Sequence, residues 1–265
     1  MTRANATPAE RDSGTRSLVI IPTYNERENL PIIVGKLFAA CPEAHLLIVE
    51  DGSPDGTGEV ADQMAAADPR IQVMHRSGKQ GLGSAYLQGF ARGLEQGYDY
   101  LIEMDADGSH PPETLPEMIA VAKSADLRNG GPALVIGSRW VPGGRVVNWP
   151  KRREILSRGA NIYAAIALGV KTKDATAGYR VYNADALRAL SLENVNSHGY
   201  CFQIDMTLRV DTAGYRIEEV PIVFREREIG ESKMSGNIIF EAMGKVTLWG
   251  FQRRMRQLTG LFSRR

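Results

Sequence analysis

The chain is poor in the features that mark several protein classes. Only two of its 265 residues are cysteine, Cys41 and Cys201. Neither stands in a metal-type spacing, and a chain of this length needs no disulfide, so both are expected as buried thiols. Long apolar runs are missing as well. A membrane-crossing helix needs about 18 or more apolar residues, and the longest candidate, Ala160–Val170, fits a core or interfacial helix better. The first 16 residues, MTRANATPAERDSGTR, lack the apolar run of about 7 to 15 residues that a signal peptide requires, and are expected as a disordered tail. Charge of one sign is absent too: 32 Lys+Arg against 31 Asp+Glu leave a net charge of +1. No global field would recruit nucleic acid, which is excluded as a partner, so any charged function has to be local.

What is there reads as a doubly wound α/β protein. Apolar, β-branched runs at 17–24, 44–50, 70–76, 99–104 and 133–139 alternate with helical patterns near 26–40, 55–67, 82–96 and 112–125. Such alternation means βαβ crossovers and a mostly parallel sheet with helices on both faces, which explains why the strands are apolar throughout. Beyond Arg139 come a Gly/Pro loop, a helical stretch at 151–168, helices near 183–190 and 200–213, a strand at 217–224 and a terminal helix. No linker or repeat divides the chain, and this second half is expected to complete one sheet. In such sheets ligands bind beyond the carboxyl ends of strands.

Three polar clusters fall at those ends: PTYNE at 22–26, EDGSPDGT at 50–57 and MDADGSHPPE at 104–113. Each alone could be turn and cap chemistry; three at one edge, with paired carboxylates, point to a site. Residues 99–117 hold six acids and no Lys or Arg. Asp105 and Asp107 would repel each other and any diphosphate unless a divalent cation lay between them, and Mg²⁺ or Mn²⁺ suits oxygen ligands of this kind. Strand alternation aims Val49 and Asp51 to one face and Glu50 to the other. A carboxylate at Asp51 could accept both N–H donors of guanine's pairing edge. Asp55 reads as a cap for the following helix. The segment GKQGLGSAY at 78–86 has neither P-loop nor dinucleotide spacing, since Tyr86 stands where a third glycine would be. Gly81 and Gly83 are expected to bring the following helix close to the sheet. His45 and His75 read as structural imidazoles, and His110 borders the DAD loop without a clear catalytic assignment. From Arg139 to Lys173 there are eight Lys/Arg against Glu154 and, just beyond, Asp174. That is a solvated face or a seat for an anion.

Taken in order, PTYNE, DGSPDGT, DADGSHPPE, GSR (137–139), NWPKRR (148–153), TAGYRVY (176–182) and GESKMSGN (230–237) resemble the family 2 glycosyltransferases of GT-A fold. Within them they are similar to the dolichol- or polyprenol-phosphate mannose synthases, over roughly residues 17–240. The resemblance implies a GT-A domain over 17–250, followed by a basic amphipathic segment at 251–265. It implies inverting transfer of mannose from GDP-mannose to polyprenyl phosphate with Mg²⁺ or Mn²⁺. The other readings are glucosyl transfer from UDP-glucose and a non-catalytic nucleotide-sugar binding module. It assigns the donor to Pro22, Tyr24, Glu26, Val49, Asp51, Asp105, Ala106, Asp107, Arg227 and Lys233. The acceptor phosphate falls to Arg139, Arg153 and Ser157, and the metal to Asp105 and Asp107. Ser109 stands where many relatives carry Gln near the metal, and its side chain is shorter. Asp107, Arg139, Arg227 and Lys233 are the expected catalytic set, and Gly230 and Gly236 would give the loop around Lys233 the freedom of a lid. The acceptor being a lipid, peripheral attachment to the cytosolic face of a membrane is expected, with room for an integral membrane partner protein. Phe251, Met255, Leu258 and Phe262 share one helical face beside five arginines, and Trp249 is expected near the interface.

Overall fold

The computed structural model describes residues 16–190, 192–195, 200–226 and 243–255. Strands β1 (Ser17–Thr23), β2 (His45–Glu50), β3 (Ile71–His75) and β4 (Tyr100–Glu103) alternate with helices α1 (Asn29–Ala40), α2 (Thr57–Ala67) and α3 (Leu82–Glu95). Helix α4 (Leu115–Ala122) leads into β5 (Pro132–Ser138), and β6 (Arg145–Val147) precedes the long α5 (Lys151–Leu168). Then come β7 (Arg180–Asn183), α6 (Ala184–Ala189), α7 (Tyr200–Thr212), β8 (Arg216–Pro221) and β9 (Val223–Arg225). A last helix, α8, covers 243–255.

Seven strands form one sheet in the order β3-β2-β1-β4-β7-β5-β8, and β6 pairs with β9 beside it. Only β7 runs antiparallel to its neighbours in the large sheet. The mostly parallel sheet expected from the sequence is therefore present, helices cover both faces, and the second half of the chain completes it. Alternation sorts the side chains. Val19, Ile21, Leu46 and Ile48 join a core with α1, α2 and α4, while Leu18, Ile20, Leu47 and Val49 join one with α3, α6 and α7.

Two strands escaped the sequence reading: β6, inside the stretch read as a Gly/Pro loop, and β7. β7 is four residues long and carries the fully buried Arg180, a residue type that argues against an interior strand. Its guanidinium is tolerated because it donates to the carbonyls of Ala175, Ala177 and Gln203 and to Tyr182 Oη. The strand expected at 217–224 divides at Ile222 into β8 and β9, which pair in different sheets. Close approach of α3 to the sheet rests on Gly89 and Gly93, whose added Cβ atoms would lie 2.6 Å from Ile20 and 2.3 Å from Leu101. Cys41 and Cys201 are buried thiols outside any disulfide, and burial pushes the Cys41 thiol up to about 11. His45 meets Tyr98 Oη, and His75 meets Asp62, as structural imidazoles do.

Candidate active site

The loops after β1 and β2 are laced together by short side chains. Asn25, with φ of 59°, donates its N–H to Ser53 Oγ, Glu26 N–H to Thr57 Oγ1 and Arg27 N–H to Asp55. Asp55 also accepts from Thr57 N–H and Oγ1, the capping role expected of it. Glu50 accepts the N–H groups of Gly52 at 2.9 Å and Ser53 at 2.6 Å. Burial opposes its charge, but the bonds from Ser53 and Gly52 prevail and hold its carboxyl below the usual range. Asp51 faces the α3 side, as alternation required. It is not an open carboxylate there: Arg76 Nη1 donates to it at 2.8 Å, and both side chains are almost fully buried. Burial raises the Asp51 pKa, and Arg76 only partly offsets that. Arg76 is fixed in turn by Ser84 and Gln80. Tyr24 lies under the Lys79 ammonium at 4.7 Å, Pro22 is half-buried, and Val49 lies in the core beneath.

At the end of β4, Asp105 and Asp107 are partly exposed while Ala106, Ser109 and His110 are buried. Ser109 N–H donates to Asp107 Oδ1 at 3.0 Å, and Ser109 carbonyl accepts from Arg225 of β9. The Ser109 hydroxyl is buried without a hydrogen-bond partner. An orphaned hydroxyl oxygen two residues beyond Asp107 suits a hard divalent cation. Among the described residues no three His, Cys, Asp or Glu side chains gather as a complete ligand set, so diphosphate oxygens and water would have to finish the coordination.

The basic flank lies across β9. Arg139 is buried and gives its Nε and Nη2 to Asp174 at 2.8 and 2.6 Å, with a further bond to Thr176. Asp174 is fully buried and its own N–H is held by Glu219. Arg153 pairs with Glu226 and stacks over Trp149 at 4.1 Å, while Arg139 lies 5.5 Å from the same ring. The two arginines therefore converge on Trp149, and Ser157 follows one turn after Arg153 on α5. Three buried N–H donors in this cluster have no partner: Arg153 Nε, Trp149 Nε1 and Trp140 Nε1. Rings connect the flanks, since His110 meets Phe224 at 5.7 Å and Phe224 meets Trp149 at 5.3 Å.

The sequence reading missed Arg76, Tyr86, Asp174 and Glu226. For Asp174 a signal existed: it and Glu154 were the two acids within reach of eight bases, and each is paired, with Arg139 and Arg158. Arg227, Lys233, Gly230 and Gly236, the whole GESKMSGN loop, and Leu258 and Phe262 lie outside the described residues, as does the tail before Arg16.

The glycosyl transferase family 2 profile matches residues 18–191. The chain is 53% identical over 266 residues to the polyprenol monophosphomannose synthase of Mycolicibacterium smegmatis, covering 96% of this chain and 98% of that one. It is 55% identical over 243 residues to the undecaprenyl-phosphate mannosyltransferase of Micrococcus luteus, covering 92% and 97%. Among solved structures, glucosyl-3-phosphoglycerate synthase from Mycobacterium tuberculosis, in complex with UDP, superposes with a TM-score of 0.63 at 17% identity, over 94% of this chain and 86% of that one. A mannosyltransferase from Pyrobaculum calidifontis, in complex with GDP-Man and Mn²⁺, gives a TM-score of 0.54 at 17% identity, over 91% and 64%. At such identities these two speak for the fold alone, the GT-A fold expected from the sequence. With its motifs at the carboxyl edge of that fold, the chain belongs to glycosyl transferase family 2 and is a glycosyltransferase.

Proposed function

We propose that the protein transfers mannose from GDP-mannose to a polyprenyl phosphate, inverting the sugar's anomeric configuration and releasing GDP. The observation that carries this reading is the meeting, across Phe224, of an oxygen-rich strand end with a cluster of buried, unpartnered N–H donors. One half suits a metal–diphosphate and the other a phosphate monoester. The names of the two bacterial relatives agree with it.

A phosphate monoester has a second pKa of about 6, so at neutral pH most of the acceptor is already dianionic and needs no general base. Its oxygen attacks the anomeric carbon from the face opposite the nucleotide, and the bond to the diphosphate oxygen breaks. Asp105, Asp107 and Ser109 would hold Mg²⁺ or Mn²⁺, which as a Lewis acid stabilises the leaving diphosphate. Arg153 and the indole N–H groups bind and orient the acceptor phosphate. Because Glu226 already sits on Arg153, the phosphate must displace that carboxylate to gain the charge. Arg139, neutralised by Asp174, serves the acceptor mainly as a fixed wall of the pocket. Asp51, Pro22, Tyr24, Glu26 and Val49 form the nucleoside end, with Arg76 setting the orientation of Asp51.

Peripheral attachment to the cytosolic face of a membrane fits the same reading. No helix among the described residues is long and apolar enough to cross a membrane. Of the ten exposed large hydrophobic residues among the described ones, eight lie on α5 and α8: Ile155, Leu156, Ile162, Ile166, Met243, Leu248, Phe251 and Met255. The two helices pack through Ala164, Leu168 and Val246, and α8 over 243–255 contains Lys245, Arg253 and Arg254 but no acid. An apolar face edged by cations suits an anionic bilayer. Trp249, expected at the interface, instead packs against the Ala164–Leu168 cluster.

The test is transfer of radiolabelled mannose from GDP-mannose to undecaprenyl phosphate in phosphatidylglycerol vesicles, with Mg²⁺, with Mn²⁺ and with EDTA. Product only with metal is expected. Glucosyl transfer from UDP-glucose in place of mannosyl transfer would overturn the donor assignment, and binding of either donor without product would make the protein a binding module.

A further inference from the structure

Two buried side chains stand against Asp105, one from helix α3 and one from its own loop. Below it stands Tyr86 of α3, fully buried between the rings of Phe90 and Phe202, whose planes lie within 23° and 12° of its own. A phenol in so apolar a slot needs a partner for its hydroxyl, and it has one: Oη donates to Asp105 Oδ1 at 3.2 Å. Beside it lies His110, 2% exposed, stacked 5.0 Å from Tyr179 and edge-on to Phe224. The peptide N–H of Asp105 donates to His110 Nδ1 at 3.0 Å. A peptide nitrogen can only donate, so Nδ1 carries the lone pair and the neutral ring keeps its proton on Nε2. That nitrogen is 3.8 Å from Asp105 Oδ2.

We propose that Tyr86 and His110 are positioning residues that hold the Asp105 carboxylate in the one orientation in which it meets the metal–diphosphate. This rests on the donor-site reading given above. A strand-end aspartate otherwise samples several rotamers, and each ligand it binds must first order it. Here the order is built in: the hydroxyl fixes one oxygen, and the imidazole fixes the peptide and stands against the other oxygen. Aromatic packing in turn fixes both anchors. The arrangement also accounts for Tyr86 in a segment that otherwise mimics a glycine-rich nucleotide loop.

Tyr86→Phe removes one oxygen and leaves the stacked ring. The reading is Mn²⁺ affinity in the presence of GDP, measured by electron paramagnetic resonance, beside steady-state kinetics and thermal unfolding. About a tenfold loss of Mn²⁺ affinity is expected, with a matching rise in KM for the sugar nucleotide, an unchanged KM for undecaprenyl phosphate and little change in Tm. His110→Ala should weaken Mn²⁺ similarly, and His110→Asn, which can still accept the Asp105 N–H, should restore part of it. Wild-type Mn²⁺ affinity in Tyr86→Phe and in His110→Ala would overturn the proposal, as would equal losses for donor and acceptor accompanied by a fall in Tm. If the wild-type protein itself binds no Mn²⁺ with GDP, the donor-site reading fails and takes this proposal with it.

Discussion

The two flanks of the site are built on opposite plans. On the donor edge several acids are satisfied by neighbours within a few residues, Glu50 by Gly52 and Ser53, Asp55 by Thr57 and Asp107 by Ser109, while Asp51 is held by Arg76 and Asp105 by Tyr86. On the acceptor flank the decisive pairs join remote parts of the chain, Arg139 to Asp174 and Arg153 to Glu226. The donor edge therefore keeps its shape largely through local turn chemistry, with Arg76 and Tyr86 as its long-range ties. The acceptor flank keeps its shape through charge pairs that the ligand has to join or displace.

The largest contrast should come from removing one charge on each side. Asp107→Ala takes away a partly exposed carboxylate that accepts the Ser109 N–H of its own loop, so the fold should survive while transfer drops by about 10³-fold or more. Near-wild-type activity at saturating Mn²⁺ would falsify the metal assignment. Asp174→Asn should do the reverse. It leaves the Arg139 guanidinium buried beside an uncharged partner, and breaking a buried pair in this way costs about 3–5 kcal/mol. Urea unfolding with an unchanged m-value should show that loss directly. If Asp174→Asn were as stable as the wild type, the pair would not be the anchor described here, and Arg139 would be available to a phosphate.

These differences explain what could be read from the sequence. The order of β1 to β5, the helices between them and the three polar clusters all follow from periodicity and from turn residues, which act over a few positions. Helix α5 was bounded at its observed ends, because Pro150 precedes its first turn and Gly169 follows it with φ of 69°. β7 was not legible, since a buried arginine satisfied by three carbonyls makes sense only once the fold is formed. Nor could Tyr86 be read as an anchor of Asp105, because that contact depends on how closely Gly89 and Gly93 let α3 approach the sheet. The placement of Asp174 and Glu226 opposite Arg139 and Arg153 depends in the same way on strands β5, β7 and β9 coming together.

Arg153 offers a sharper cut, because its ion pair is only partly buried and the protein can do without it. Arg153→Ala should raise the KM for polyprenyl phosphate by about 10- to 100-fold, the weight of a charge-assisted hydrogen bond, and leave GDP-mannose binding within a few-fold. Isothermal titration with GDP-mannose alongside acceptor kinetics measures both. A collapse of donor affinity with the acceptor untouched would move Arg153 to the other flank.

The smallest effect tests whether donor-edge charges are as locally and weakly coupled as they look. His75, at the end of β3, donates from Nε2 to Asp62 Oδ1 across 2.8 Å and lies 3.6 Å from Glu50, with half its side chain exposed. The hydrogen bond to Asp62 raises its pKa above the ordinary value; partial burial opposes this, and the Asp62 and Glu50 charges add to it. A folded-state pKa above the unfolded one means that the native protein holds the proton longer. The stabilisation is complete below the unfolded imidazole value of about 6.5 and disappears as pH rises through the higher folded value. His75 and Asp62 are exposed enough for solvent to screen most of it, so the contribution should be about 0.3 kcal/mol or less. Urea midpoints of wild type and His75→Gln should therefore differ slightly more at pH 6 than at pH 8.5. A difference above about 1 kcal/mol, or one that grows with pH, would place His75 among buried, long-range pairs of the acceptor kind and erase the distinction between the two flanks.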